Sequence, residues 1–274
     1  MNPSISILGC GNIGSSVAKG LVRSKHFKAK DIFLTRRNLN LLKKLKNDGF
    51  NITSDNKTAT NNTTIIILAV APSELTDLLT NISSLINKNH LIISFVSGVE
   101  IKSIQNVIGT NIPIIRAMPN TAAELCESMT CLATTDNFSK ELNIAESLFD
   151  KIGKTLIINE TQMASATALG ACGVAFFLRA IRAASQGGIE IGFHADQAFT
   201  IAAQTAKGSA SLLLNNKAHP ESEIDRVTTP RGATISGLNE MEHRGFSSAL
   251  IKGITVSSKK VTKFTGFHLI PVSR

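Results

Sequence analysis

The ten residues Ile5-Ser6-Ile7-Leu8-Gly9-Cys10-Gly11-Asn12-Ile13-Gly14 constrain this chain more than any others. An apolar strand pattern runs straight into GxGxxG, and a helical pattern over Ile13–Arg23 follows at once. In that setting Gly9 makes the tight turn, Gly11 lets a pyrophosphate approach the backbone, and Gly14 lets the helix pack against the strand. The residues Asn12, Ile13 and Gly14 then open a helix whose free N–H groups face the phosphates. A strand, a glycine turn and a helix at the N-terminus call for a parallel sheet whose ligand lies at the carboxyl edge.

The remainder of the first half agrees. Short β-branched runs near Ser4–Leu8, Asp31–Thr35, Thr64–Val70, Leu91–Val96, Ile114–Ala117, Met129–Ala133 and Thr155–Ile158 alternate with helical stretches such as Leu39–Asp48 and Glu141–Ile152. That alternation predicts an α/β Rossmann-type domain with a mostly parallel sheet over residues 1–160. From Thr161 onward the β-branched runs give way to Ala-rich segments, with Leu169, Val174, Phe177, Leu178 and Ile181 at helical spacing. Helices are expected over Gln162–Ile191, Ala195–Leu214, Ser222–Val227, Arg231–Met241 and Phe246–Lys263, so residues 161–274 read as an all-α domain. Helices this apolar bury against something, a second copy of the chain included.

Composition removes several function classes. The 274 residues are 43% hydrophobic and 18% charged, which suits a folded globular chain. The longest wholly apolar run, Ile65–Ala71, is far short of a membrane span, and no secretory leader pattern opens the chain; a cytoplasmic protein without a membrane partner is expected. Cys10, Cys126, Cys131 and Cys172 match no zinc spacing and are expected as free thiols, with no metal site. The net charge of +9 is uneven: between Lys19 and Lys46 ten Lys or Arg residues face the single acid Asp31. This basic stretch lacks interleaved aromatics and follows a dinucleotide loop, so a nucleic-acid partner is not expected.

The cofactor can be read further. Where an NAD-binding chain carries an acid for the ribose 2'-hydroxyl, this one has Thr35-Arg36-Arg37-Asn38. Guanidinium and hydroxyl groups suit a 2'-phosphate, so NADPH is expected to be preferred, with NADH possible. Ala69-Val70-Ala71-Pro72 ends a strand at the same sheet edge, as does Arg116-Ala117-Met118-Pro119-Asn120-Thr121, and both are expected along the nicotinamide pocket, with Asn120 offering its amide.

In the second half, Val227-Thr228-Thr229-Pro230-Arg231-Gly232-Ala233-Thr234 combines hydroxyls, a proline expected at the first turn, and a glycine. Such a string builds a helix N-terminus with exposed N–H groups, a ready place for a carboxylate. By contrast, His194, His219 and His243 read as turn or helix-end residues, and Cys172 as a small core residue.

The Thr228–Thr234 segment resembles the T-S-P-G-G-T/A-T signature of the pyrroline-5-carboxylate reductase family. The resemblance extends over nearly the whole chain: GCGNIG, ILAV-x-P, R-x-MPNT, QGGIEIGF and HPESEIDRVTTPRGAT fall in the family's order and approximate spacing. It implies a Rossmann domain joined to a helical dimerisation domain, a homodimer or higher homo-oligomer with the substrate site at the dimer interface, and hydride reduction of 1-pyrroline-5-carboxylate to L-proline. By position, Thr229 with the backbone at Gly232 and Ala233 would hold the substrate carboxylate, and Thr234 would contact the ring nitrogen. Three stretches depart from the pattern. Ala71 stands where the family has lysine, Gly170-Ala171-Cys172-Gly173-Val174-Ala175-Phe176 replaces S-G-S-G-P-A-Y, and Arg231 replaces the first glycine of P-G-G. These departures leave open a related imine or carbonyl reductase with another substrate, and a non-catalytic NADP-binding regulatory protein.

Overall fold

Four consecutive apolar residues, Ile65–Leu68, form a strand in which every side chain is buried. Ile65 and Ile67 point into one hydrophobic cluster and Ile66 and Leu68 into another, so the sheet is covered on both faces. A strand buried on both sides must be apolar at every position, and the period-2 alternation disappears.

The computed structural model describes residues 4–262, apart from the side chain of Asp136. Its strands are β1 (Ile5–Leu8), β2 (Ile32–Thr35), β3 (Asn51–Thr53), β4 (Ile65–Leu68), β5 (Leu91–Ser94), β6 (Ile114–Met118), β7 (Ser128–Ala133) and β8 (Gly153–Ile157). They lie in the order β3-β2-β1-β4-β5-β6-β7-β8. All neighbours pair in parallel except β6 and β7, which are antiparallel. The order reverses between β1 and β4, the place where open α/β sheets leave a crevice at their carboxyl ends.

Helices α1 (Asn12–Arg23), α2 (Lys43–Asn47), α3 (Asn56–Asn61), α4 (Leu75–Ile82), α5 (Ile101–Ile108) and α6 (Ser139–Phe149) accompany the sheet. Helix α1 buries Val17, Ala18 and Leu21 in one cluster, and α4 buries Leu75, Leu78, Leu79 and Ile82 in the other. After β8 come α7 (Met163–Ala166), α8 (Gly173–Glu190), α9 (Ala195–Asn216), α10 (Pro220–Val227), α11 (Ala233–His243) and α12 (Phe246–Thr262). The expected end of the last helix, Lys263, lies outside the described residues.

Several expectations need correction. The 162–191 stretch is interrupted: residues Thr167–Ala171 form a π-turn in which the Cys172 N–H donates to the Thr167 carbonyl at 2.9 Å. Pro230 and Arg231 precede α11, which starts at Ala233 with Gly232 as its N-cap. Arg231 takes a left-handed conformation, with φ +60°, and ends any helix that would start there. The edge strand β3 and the helices α3 and α5 had no counterpart among the expected elements.

Two compact units result. One comprises residues 4–172 with 257–262, the other residues 173–256. Within the second, α8 and α9 pack closely: a Cβ on Gly188 would stand 3.0 Å from the Ala198 Cβ, so small residues set the separation. Of the large apolar side chains on these helices, Phe177, Leu178, Ile189, Phe199, Ile201, Leu212 and Leu214 are exposed.

Candidate active site

The carboxyl ends of β1, β2 and β4 are tied into one edge by main-chain bonds. Cys10 N–H donates to the Thr35 carbonyl at 2.7 Å, and Ala69 N–H donates to the Leu8 carbonyl at 2.8 Å. Gly9 sits at φ +84° between them, and a Cβ there would come within 2.2 Å of Val70 Cγ1. Both the conformation and the space therefore require glycine. A Cβ on Gly14 would lie 3.0 Å from Ile7 Cγ2, the close helix–strand approach expected of it.

Gly11 differs from both. Around its missing side chain the nearest atom is the Gly9 carbonyl oxygen at 4.0 Å, and no side chain caps α1, which begins beside it. An open turn at an uncapped helix N-terminus, with acceptors unassigned for its first N–H groups, is the cradle a pyrophosphate needs. The residues present thus fit a dinucleotide.

Around this cradle lies a cleft of about 750 Å³. It brings together Gly9, Gly11, Thr35, Arg36, Arg37, Ala69, Val70 and Ala71 from the residues singled out in the sequence. Asn12, Ile13, Gly14 and Pro72 adjoin it in the chain without lining it, Gly14 being buried on the face of α1 that meets β1. Asn120 does not line it either. Its Oδ1 accepts from the Ala122 N–H at 3.0 Å, capping a short 3-10 turn, and its Nδ2 donates to the Gly170 carbonyl at 3.0 Å. Both ends of that amide are engaged within the protein.

The other polar groups of the cleft have distinct tasks. The buried Thr35 hydroxyl accepts from Gly9 N–H at 3.2 Å and donates to Asn56 Oδ1 at 2.6 Å, fixing the glycine turn from below. Arg36 Nη1 donates to the Cys10 carbonyl at 3.3 Å. Arg37 pairs with Glu74, and Asp55 caps α3 through the N–H groups of Lys57 and Thr58. The Thr58 hydroxyl, which donates to Asp55 Oδ2 at 2.6 Å, acts with these N–H groups to hold the Asp55 carboxyl below its ordinary range. Burial pushes the Cys10 thiol up, against the smaller opposing effects of Ser15 and Arg36, so it is a neutral thiol at physiological pH.

Sequence reasoning missed Asn56, Asp55 and Glu74 as cleft residues. A capping pattern at Asp55 with Thr58 three residues on was available as a signal. Glu74 carried none, because its role depends on a partner 37 residues away.

In the helical unit, Gly232 caps α11 without any side-chain bond, leaving the N–H groups at Ala233 and Thr234 at an open helix mouth. A Cβ on Gly232 would stand 2.5 Å from Thr229 Oγ1, so the Thr229 hydroxyl lies directly beside the cap. Thr229, Ala233 and Thr234 are exposed. Thr228 instead turns back, donating to the Ile224 carbonyl at 2.7 Å to finish α10. His194 and His219 stand at helix N-caps and His243 ends α11. The four cysteines are free, and among the described residues no three His, Cys, Asp or Glu side chains gather as a metal site requires.

Comparisons with known proteins agree with this geometry. Residues 160–264 match the model described as pyrroline-5-carboxylate reductase dimerisation, and residues 4–98 match an NADP oxidoreductase, coenzyme F420-dependent, model. The stretch Glu160–Glu190, long and apolar enough to cross a membrane by length and composition, falls within the first of these matches. Pyrroline-5-carboxylate reductase 1 of Dictyostelium discoideum is 52% identical over 93% of this chain, although the chain spans about half, 49%, of that protein. Pyrroline-5-carboxylate reductase 2 of the same organism is 50% identical, over 96% of this chain and 93% of that protein. Among solved structures, a Plasmodium falciparum pyrroline carboxylate reductase with NADP bound shares the fold, with a TM-score of 0.88 over 97% of this chain and 99% of that one at 24% identity. With half of its residues shared across nearly the full length of a relative, and with the glycine turn and the Thr228–Thr234 segment in place, the chain belongs to the pyrroline-5-carboxylate reductase family.

Proposed function

We propose that this chain reduces the C=N bond of 1-pyrroline-5-carboxylate to L-proline, with NADPH preferred and NADH accepted less well. The observation that carries the reading is the open glycine turn flanked by Arg36 and Arg37 in a member of this family. The bound dinucleotide supplies the hydride. The chain supplies position: the backbone at Gly9–Gly14 holds the pyrophosphate, the two guanidinium groups meet the 2'-phosphate, and Val70 and Ala71 form the wall at the end of β4.

For the substrate, the N–H groups at Ala233 and Thr234 and the Thr229 hydroxyl suit a carboxylate, and the Thr234 hydroxyl suits the ring nitrogen. An imine is most electrophilic when protonated, so anchoring its carboxylate and orienting its nitrogen are the main demands on the protein. We assign residues 1–160 to dinucleotide binding and residues 161–274 to the substrate and to dimerisation. The exposed apolar side chains of α8 and α9, under a dimerisation-family match, support a homodimer or higher homo-oligomer.

The test mixes purified protein with 1-pyrroline-5-carboxylate and follows the fall in reduced-cofactor absorbance, with the product identified as proline. Turnover faster with NADPH than with NADH is expected. NADPH binding without turnover on this substrate would overturn the assignment, and activity on another cyclic imine would move it to that substrate.

A further inference from the structure

The two walls of the cleft carry opposite charge. The β2 side presents Arg36 and Arg37, whereas the side formed by the end of β4, the turn that follows it and α4 presents Ala71, Glu74, Asp77, Leu78 and Asn81, with no cation among them. Where the family resemblance puts a lysine this wall has the alanine at 71, and three residues on it has an acid. The walls are bridged at one point, the Arg37–Glu74 ion pair.

The two arginines are therefore not equivalent. Arg36 leans on a neutral carbonyl, that of Cys10, which an incoming anion displaces without freeing a charge. Arg37 is held by a carboxylate while its side chain stays 91% exposed, so the pair is solvated and readily exchanged. A phosphate monoester, with a charge nearer −2 and three acceptor oxygens, displaces a carboxylate from a guanidinium. The displaced Glu74 stays on the opposite wall, where it adds like-charge repulsion against that phosphate. A ligand lacking the phosphate meets neither cost.

Resting on the dinucleotide reading above, we propose that Glu74 sets cofactor specificity in this chain: it competes with the ribose 2'-phosphate for Arg37 and so narrows the preference for NADPH over NADH. Asp55 does not share this role, because its carboxylate is committed to the α3 cap.

The experiment titrates 2',5'-ADP and 5'-AMP into the full chain by calorimetry, for the wild type, Glu74→Gln, Glu74→Ala, Arg37→Gln and the Arg37→Gln/Glu74→Gln double variant. Removing one exposed competing charge should tighten 2',5'-ADP by about 3- to 10-fold and leave 5'-AMP within about twofold. Most of that gain should vanish when Arg37 is already glutamine, and the NADPH-to-NADH ratio of KM values should move in step. Unchanged or weaker 2',5'-ADP binding in both Glu74 variants would overturn the proposal, as would an equal gain for 5'-AMP. A wild type that binds neither nucleotide would instead overturn the dinucleotide reading on which it rests.

Discussion

Replacing Thr35 by valine removes one buried oxygen while keeping the shape of the side chain, and two bonds fail together. Gly9 N–H loses its acceptor at 3.2 Å and Asn56 Oδ1 loses its donor at 2.6 Å. An unsatisfied buried polar group costs roughly 1–3 kcal/mol. Gly9 and Asn56 are only partly buried, so water relieves each and the lower bound applies; the total is about 2 kcal/mol, less a few tenths for the added methyl. The same loss loosens the turn that presents the pyrophosphate site, and NADPH affinity should fall by about tenfold. Urea unfolding gives the first number from a midpoint shift at constant slope, and fluorescence titration with NADPH gives the second. Thr35→Ser keeps the hydroxyl and should recover most of both. A Thr35→Val protein within about 0.5 kcal/mol of wild type, or a serine variant as damaged as the valine one, would refute the claim that this hydroxyl holds the glycine turn.

Three further outcomes are expected. The Glu160 carboxylate accepts from Arg116 at 3.1 Å and from the Ile101 N–H at 2.7 Å, and the Arg116 side chain is only 5% exposed; Glu160→Ala should cost about 3 kcal/mol in urea unfolding, and a loss under about 1 kcal/mol would show that water compensates the guanidinium. Arg231→Gly relieves a left-handed side-chain residue worth about 1 kcal/mol and gives back part of it as unfolded-state freedom; a melting temperature higher by about 1–2 °C is expected, and a lower one would mean the arginine makes compensating contacts. Thr234→Ala should lower turnover at least tenfold, an estimate of about one charge-assisted contact, while leaving NADPH affinity within twofold; wild-type turnover would remove this hydroxyl from the reaction.

How much of this was legible depended on whether a residue's role was local. The Gly9–Gly14 turn is a matter of neighbours in sequence, and the apolar runs of β1, β4 and β5 announce strands buried on both faces, so the edge that carries the cleft could be placed from the sequence. Residues 51–53 could not. Asn-Ile-Thr is too short and too polar to signal a strand, and it pairs because β2 offers its free edge. The antiparallel turn from β6 into β7 left no mark either, since both strands read as ordinary apolar runs. The π-turn over Thr167–Ala171 was hidden for a related reason: its residues keep helical spacing on both sides, and only the Cys172 N–H bond reveals the extra residue. Arg36 and Arg37 were visible as a phosphate-suited pair, but nothing in their order distinguishes the one resting on a carbonyl from the one held by an acid.

The first unit closes on itself late in the chain. Residues 257–262 return to it after the helical excursion over 173–256; Val261 is buried there, and the Ser258 hydroxyl lies 3.5 Å from that of Ser165. A single protease cut between α9 and α10, where Lys217 stands in a left-handed turn, would therefore give two fragments that each own part of one folded unit. Such a nick should pass unnoticed in gel filtration and show only on a denaturing gel, because what joins the fragments is packing and not the peptide that was cut.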